Sequence, residues 1–306
     1  MADRVEVFIL VEGERLEAQA GLLAPTLRRH LAPDQKPVAY LREDYAGRLD
    51  PLTREVLAAS GVELRVIPGT DGAHAPWTAP YPQGNKILAA AQPRDCEISV
   101  FLDTDMVLAE PADFGAELGT ADIGACVSDF SAIGNDEAGW TAFYGCFGLP
   151  LPEERVVLQA GRRLRSFPYF NAGMIIFREM RDHAPTNIGR QWLDMAQQFD
   201  RDIEVPYSRE NIDQLTLPIL GYKRGSPVAA LDPRLNFNIA AHGLGEGRRQ
   251  SIAHYHRIGV LWAHPGHSQM TLDCLADVCG AEMITRMLER FPHFMKRSRL
   301  KHYLAA

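Results

Sequence analysis

Two aspartates, Asp103 and Asp105, follow directly on the run Ile98–Leu102, "ISVFL". Five consecutive apolar residues are the pattern of a strand buried on both faces of a parallel sheet. Alternate residues at the end of such a strand share a face, so both carboxylates converge at its C-terminal edge, where open α/β sheets bind ligands. A carboxylate pair there suits a hard divalent cation, Mg²⁺ or Mn²⁺, and through it a diphosphate. The plainer reading, a turn cap or an ion pair with nearby bases, leaves two charges beside a buried strand at a cost that a cation removes. A second concentration of ligand chemistry lies late in the chain. Five of the ten histidines are His242, His254, His256, His264 and His267. Their density favours a metal, and a separate zinc site built from His254, His256, His264 and His267 is the competing arrangement.

The elements that must position these groups alternate between strand and helix. Val5–Val11 reads as a buried strand, Arg15–Leu31 as a helix with Pro25 inside it, and Pro37–Leu41 as a second strand. Pro51–Ser60 is a helix capped by Asp50, with Pro51 at its first position and Gly61 past its end. Val62–Ile67 is a third strand. A Gly-, Pro- and Ala-rich loop, Pro68 to Gly84, leads to a helix at Asn85–Ala91 and then to Ile98–Leu102. Ile123–Val127 and Met174–Phe177 are further strands, with an irregular stretch from Ser128 to Phe167 between them. Asn187–Phe199 is a helix burying Ile188, Trp192, Met195 and Phe199; another begins near Asn211. Leu231–Asn238 is loop-like, Ile252–Trp262 holds a last strand, and Gln269–Leu304 is mostly helical with a break at Pro292. This order argues an α/β fold with a mostly parallel sheet. Trp140, Phe143 and Tyr144 read as the core of the irregular stretch rather than a sugar-stacking platform.

Composition bounds the class. The 306 residues are 46% hydrophobic and 23% charged, the balance of a globular chain. A net charge of −7, with no recognition motif, argues against a nucleic-acid partner. No run approaches the roughly 20 apolar residues of a membrane span. The charged start, Asp3, Arg4, Glu6 and Glu12, is unlike a secretory leader. Five cysteines without metal-finger spacing fit a reduced, cytoplasmic protein. The stretch Arg286 to His302 carries six Lys or Arg residues against Glu289, with Phe291, Phe294, Met295 and Leu300 interleaved. A solvated helix is the plain reading of this segment, and a peripheral contact with the inner membrane surface is the alternative.

Six motifs in order give the chain a resemblance. "NKILAA" (85–90), "VFLDTDMVL" (100–108), "FNAGMIIF" (170–177), "NIDQL" (211–215), "LDPRLNFN" (231–238) and "IAHYHRIGVLW" (252–262) resemble those of GT-A-type glycosyltransferases, most closely the retaining, glycogenin-containing glycosyltransferase family 8. The resemblance implies a Rossmann-like three-layer α/β/α sandwich over residues 1–265, a helical C-terminal extension over 266–306, and transfer from a nucleotide sugar, a UDP-sugar, to a glycan or small-molecule acceptor. It implies that Asp103, Asp105 and His254 hold Mn²⁺ or Mg²⁺, with Asp103 also near the ribose. A nitrogen ligand beside carboxylates fits Mn²⁺ better than Mg²⁺. Lys86 would face the donor diphosphate, Asn171 and Gly173 would border the donor sugar, Asp213 would bond its hydroxyls, and Gln214 would lie near the anomeric carbon. His256 stands as the alternative to His254.

The chain also departs from the pattern. Where the family carries a lysine shortly after the late histidine, the sequence reads Gly259-Val260-Leu261-Trp262, and Arg257 is the cation expected to replace it. Two rival readings follow. "VFLDTDMVL" fits a haloacid-dehalogenase-like phosphatase with Asp103 as nucleophile, although three strands precede it and no later acidic pair completes that site. The missing lysine fits a catalytically degenerate sugar-nucleotide- or glycan-binding protein. A dinucleotide-binding dehydrogenase is disfavoured, since Val5–Val11 is followed by Glu12-Gly13-Glu14 and not by a glycine fingerprint.

Overall fold

Ile98–Leu102 forms a strand buried at every position, and Asp103 follows its last residue. A computed structural model describes residues 4–70, 76–160, 164–202, 209–242 and 250–295. It is a mixed α/β structure whose main sheet has seven strands. The chain divides into two compact units, each drawn from separated stretches.

The first unit comprises Gly69–Phe101 and Asp113–Pro233, with the N-terminal residues to Val5. Its part of the main sheet runs in the order Ala229–Ala230, Ile123–Val127, Phe170–Arg178, Ile98–Leu102. Phe170–Arg178 is antiparallel to Ile123–Val127, and Ala229–Ala230 is parallel to it. The strand expected at 174–177 thus begins four residues earlier and takes in Asn171 and Gly173. Helices Ile188–Asp202 and Ile212–Lys223 pack against this sheet and each other. The irregular stretch contains a helix, Glu137–Gly145, whose Trp140, Phe143 and Tyr144 are fully buried against one another and against Phe167 and Tyr169. They are core, as their sequence context implies.

One glycine sets how the lysine-bearing helix Asn85–Ala90 sits. A Cβ on Gly189 would stand 1.9 Å from the Ala90 carbonyl oxygen, so the helix that starts at Ile188 meets the end of Asn85–Ala90 backbone to backbone. Gly189→Ala is expected to cost about 3 kcal/mol by overpacking against a main-chain atom that cannot rotate away. Thermal unfolding reads this as a Tm lowered by about 6–10 °C; an unchanged Tm would show that the two helices can separate freely.

The second unit comprises Glu6–Pro68, Leu102–Ala112 and the chain from Arg234. It carries the strand order Val5–Leu10, Gln35–Arg42, Glu63–Ile67, the last two parallel. A smaller sheet runs Phe237–Asn238, Ile252–His254, Met106–Leu108. Helix Gly13–His30 continues through Pro25. Helix Pro51–Ala59 has the expected cap, with the Leu52 N–H donating to the Asp50 carboxylate at 2.8 Å. The tail forms helices Pro265–Cys279 and Ala281–Arg290. They break at Gly280, whose φ of +83° glycine accommodates without strain, as well as before Pro292. Leu22, Val56, Tyr255, Trp262, Leu275, Met287 and Phe291 share one apolar cluster, which joins the tail helices to Gly13–His30 and Pro51–Ala59.

Two arginines of the basic tail are engaged: Arg286 pairs with Glu55, and Arg290 with Asp50 and Glu14. Lys296, Arg297, Arg299 and Lys301, the rest of the charge that a membrane contact would use, lie outside the described residues. Among the described residues no helix is long and apolar enough to cross a membrane. All five cysteines are free thiols.

Candidate functional site

The candidate residues fall into two groups, one in each unit. In the first unit, helix Asn85–Ala90 carries Lys86, strand Phe170–Arg178 carries Asn171 and Gly173, and the first turn of helix Ile212–Lys223 carries Asp213 and Gln214. Three sequence motifs far apart in the chain meet here. The Lys86 ammonium lies 3.4 Å from the Asp213 carboxylate and donates to the Ala172 carbonyl at 3.2 Å. It also sits over the Phe101 ring, 5.2 Å from the centroid. The side chains of Lys86 and Asp213 are only 10% and 4% exposed, so the pair is desolvated. Ala172 stands between Asn171 and Gly173, and the Asn171 side-chain Oδ1 accepts from the Gly173 N–H at 2.8 Å. Asn171 therefore shapes the backbone that Lys86 contacts. Gln214 is half-buried.

Tyr81 completes this group. Its hydroxyl donates to the Asp213 carboxylate at 3.3 Å and accepts from the Asp213 N–H at 3.0 Å. Burial first, and the Asp213 charge second, push the Tyr81 phenol well above its ordinary pKa. It therefore stays neutral and keeps its proton to donate. Burial does the same to Tyr169, again with Asp213 adding to it. Asp213 is thus held by a cation on one side and a phenol on the other. Sequence reasoning missed Tyr81 because it lies in the Gly- and Pro-rich loop with no periodic signal around it.

In the second unit the register of the small sheet does the positioning. Ile252–His254 pairs antiparallel with Met106–Leu108, placing His254 opposite Met106. The Tyr255 N–H donates to the Asp105 carbonyl at 3.0 Å and extends the contact by one residue. This brings His254 Nε2 to 3.1 Å from the Asp105 carboxylate. His254 is 2% exposed, and its Nδ1 lies 2.9 Å from the Asn236 side-chain carbonyl. An acceptor at Nδ1 fixes the proton there and turns the Nε2 lone pair towards Asp105. In that tautomer Nε2 and the Asp105 carboxylate, 3.1 Å apart, turn lone pairs toward each other, an arrangement that suits a cation between them.

His256 joins them. One ligand atom from each of Asp105, His254 and His256 lies within 4.8 Å of the others. Bonds of about 2.1 Å to nitrogen and oxygen hold the ligands of one ion within about 4.2 Å of each other, so small side-chain rotations close the group on a cation. Asp103 is half-buried and stands outside this group of three. Among the described residues, His264 and His267 are not part of this group, so the four-histidine zinc arrangement is not assembled there. Arg257 is exposed and precedes helix Ile258–Ala263. Asn238, the end of "LDPRLNFN", caps a short helix by accepting from the Ala240 and Ala241 N–H groups at 3.0 Å each. Asn236, two residues earlier, is the one that reaches the histidine.

The buried lysine–aspartate pair thus belongs to the first unit and the carboxylate–imidazole cluster to the second. Residues 7–225 match the model of the Rhodobacterales glycosyltransferase domain family, and the chain belongs to that family. No curated protein sequence matches the chain. The fold is that of GT-A glycosyltransferases. It is similar to a structure of the galactosyltransferase LgtC in complex with donor and acceptor sugar analogues, at 15% identity and a TM-score of 0.53, covering 90% of this chain and 96% of that one. It is also similar to an apo structure of the bifunctional glycosyltransferase WbbM, at 14% identity and a TM-score of 0.55, covering 94% of this chain and 52% of that one. Family membership sets the phosphatase reading aside.

Proposed function

We propose that the protein is a metal-dependent glycosyltransferase of the family 8 type, moving a sugar from a UDP-sugar to a glycan or small-molecule acceptor with retention. The observation that carries the reading is the convergence of Lys86, Ala172 and Asp213, because it unites three of the ordered motifs in one desolvated polar group. In this reading Asp213, held by Lys86 and Tyr81, hydrogen-bonds the sugar hydroxyls, while Asn171 and Gly173 border the sugar. Lys86 and Arg257 offer positive charge to the diphosphate, and Asp103 lies near the ribose. Asp103, Asp105 and His254 would hold a divalent ion, which when bound supplies positive charge that stabilises the departing nucleoside diphosphate. As the glycosidic bond breaks, the sugar develops oxocarbenium character that the Gln214 carbonyl stabilises. An amide is a poor nucleophile, so the acceptor adds on the face the diphosphate leaves and no covalent adduct forms on Gln214.

A thermal-shift screen of UDP, GDP, ADP and CDP, each with and without Mn²⁺, tests the donor class. UDP is expected to raise Tm only when Mn²⁺ is present, by the linkage free energy of about 2.7 kcal/mol at a hundredfold excess over Kd. Stabilisation by no nucleoside diphosphate overturns the reading.

A further inference from the structure

The resemblance gives the ion two carboxylates and one histidine. We infer that His256 is a further ligand, so that Asp105, His254 and His256 form a two-histidine, one-carboxylate set that selects Mn²⁺ and later transition metals over Mg²⁺. The inference rests on the metal-dependent reading above. It starts from the donor atoms of these three residues, which lie within 4.8 Å of one another. The His254 and His256 rings pack face against face, with centroids 3.7 Å apart and planes tilted by 37°. The chain reaches this arrangement through an uncommon turn. His256 has φ +52°, and the Arg257 N–H donates to the Tyr255 carbonyl across it. Few non-glycine residues adopt that backbone. Its consequence is that Tyr255 goes fully into the core while the imidazoles on either side of it stay together. His254 is already fixed by Asn236 with Nε2 facing Asp105.

Chemistry then separates the ions. Mg²⁺ demands oxygen ligands in near-ideal octahedral geometry and gives up water reluctantly. Imidazole nitrogens favour transition ions, with affinity rising from Mn²⁺ through Co²⁺. Two imidazoles and one carboxylate leave positions open for further oxygens, including Asp103 and phosphate, without requiring either for the ion to stay.

The test uses the full chain without nucleotide. Free Mn²⁺ is followed by electron paramagnetic resonance during titration, Mg²⁺ is the competitor, and the visible spectrum of bound Co²⁺ reports its ligands. His256→Asn is the first variant, because asparagine tolerates positive φ and keeps the turn; His256→Ala is the second, and circular dichroism checks the fold of both. His256→Asn is expected to lower the Mn²⁺-to-Mg²⁺ affinity ratio at least tenfold and to change the Co²⁺ spectrum, with Mg²⁺ binding altered less than twofold. An unchanged ratio and spectrum, with Mn²⁺ binding lost in Asp105→Ala, overturns the role of His256 alone. Failure of the unaltered protein to bind Mn²⁺ overturns this inference and the metal-dependent reading together.

Discussion

Asp105→Ala is expected to reduce Mn²⁺-dependent release of UDP from a UDP-sugar by about 10³-fold or more, a loss of roughly 4 kcal/mol of transition-state stabilisation. The size follows from where Asp105 stands. It is the carboxylate that the small sheet's register brings against His254, and it belongs to the three-residue ligand group. Removing it takes the negative charge from that group and leaves two imidazoles to hold a dication. The fold should change little, because the backbone bond from Tyr255 to the Asp105 carbonyl and the pairing of Ile252–His254 with Met106–Leu108 do not involve the side chain. Asp105→Asn is the sharper control. It retains a polar side chain of the same shape beside His254 but loses the charge, and it should lose nearly as much activity. Donor hydrolysis without acceptor measures both variants. If either keeps more than about a tenth of the Mn²⁺-dependent rate, the ion is not held here.

The sequence showed the framework of this site more clearly than its contacts. "ISVFL" has the bounds expected of it because five apolar residues end in a charged one, a local fact. Helix Pro51–Ala59 was legible for a similar reason: Asp50, Pro51 and Gly61 are start and stop chemistry written in adjacent residues. Helix Glu137–Gly145 was hidden, since Gly139 and Gly145 argue against a helix that the packing of Trp140, Phe143 and Tyr144 stabilises. Gly280 carries no clear stop signal in the sequence, because the periodic apolar pattern continues on both sides of it. The contacts that matter most chemically are non-local. Asp105 meets His254 only because strands almost 150 residues apart pair in one register, and a one-residue slip would turn the imidazole to the other face. Tyr81 and Asn236 act on Asp213 and His254 through tertiary contacts that no spacing rule encodes.

Lys86→Met is expected to destabilise the protein by about 3–5 kcal/mol, because it strands the Asp213 carboxylate in a site where that side chain is 4% exposed. Tyr81 still donates to Asp213, but a phenol does not neutralise a charge. Asp213→Asn should cost less, since Lys86 retains the Ala172 carbonyl and the Phe101 ring. The double variant Lys86→Met/Asp213→Leu removes both charges and should recover much of the stability lost in Lys86→Met, as buried ion pairs replaced by apolar residues usually do. Turnover separates a structural pair from a functional one. A pair that only holds the helix Asn85–Ala90 against the strand Phe170–Arg178 would return activity along with stability. A pair that meets the donor would return stability alone, with UDP release still at least about 10²-fold below the unaltered protein, as for loss of a preorganised charge contact. The second outcome is expected, because nothing about helix packing requires a charged pair: Gly189 against the Ala90 carbonyl already fixes the approach of the neighbouring helix. Recovery of both stability and turnover in the double variant would reduce Lys86 and Asp213 to scaffolding.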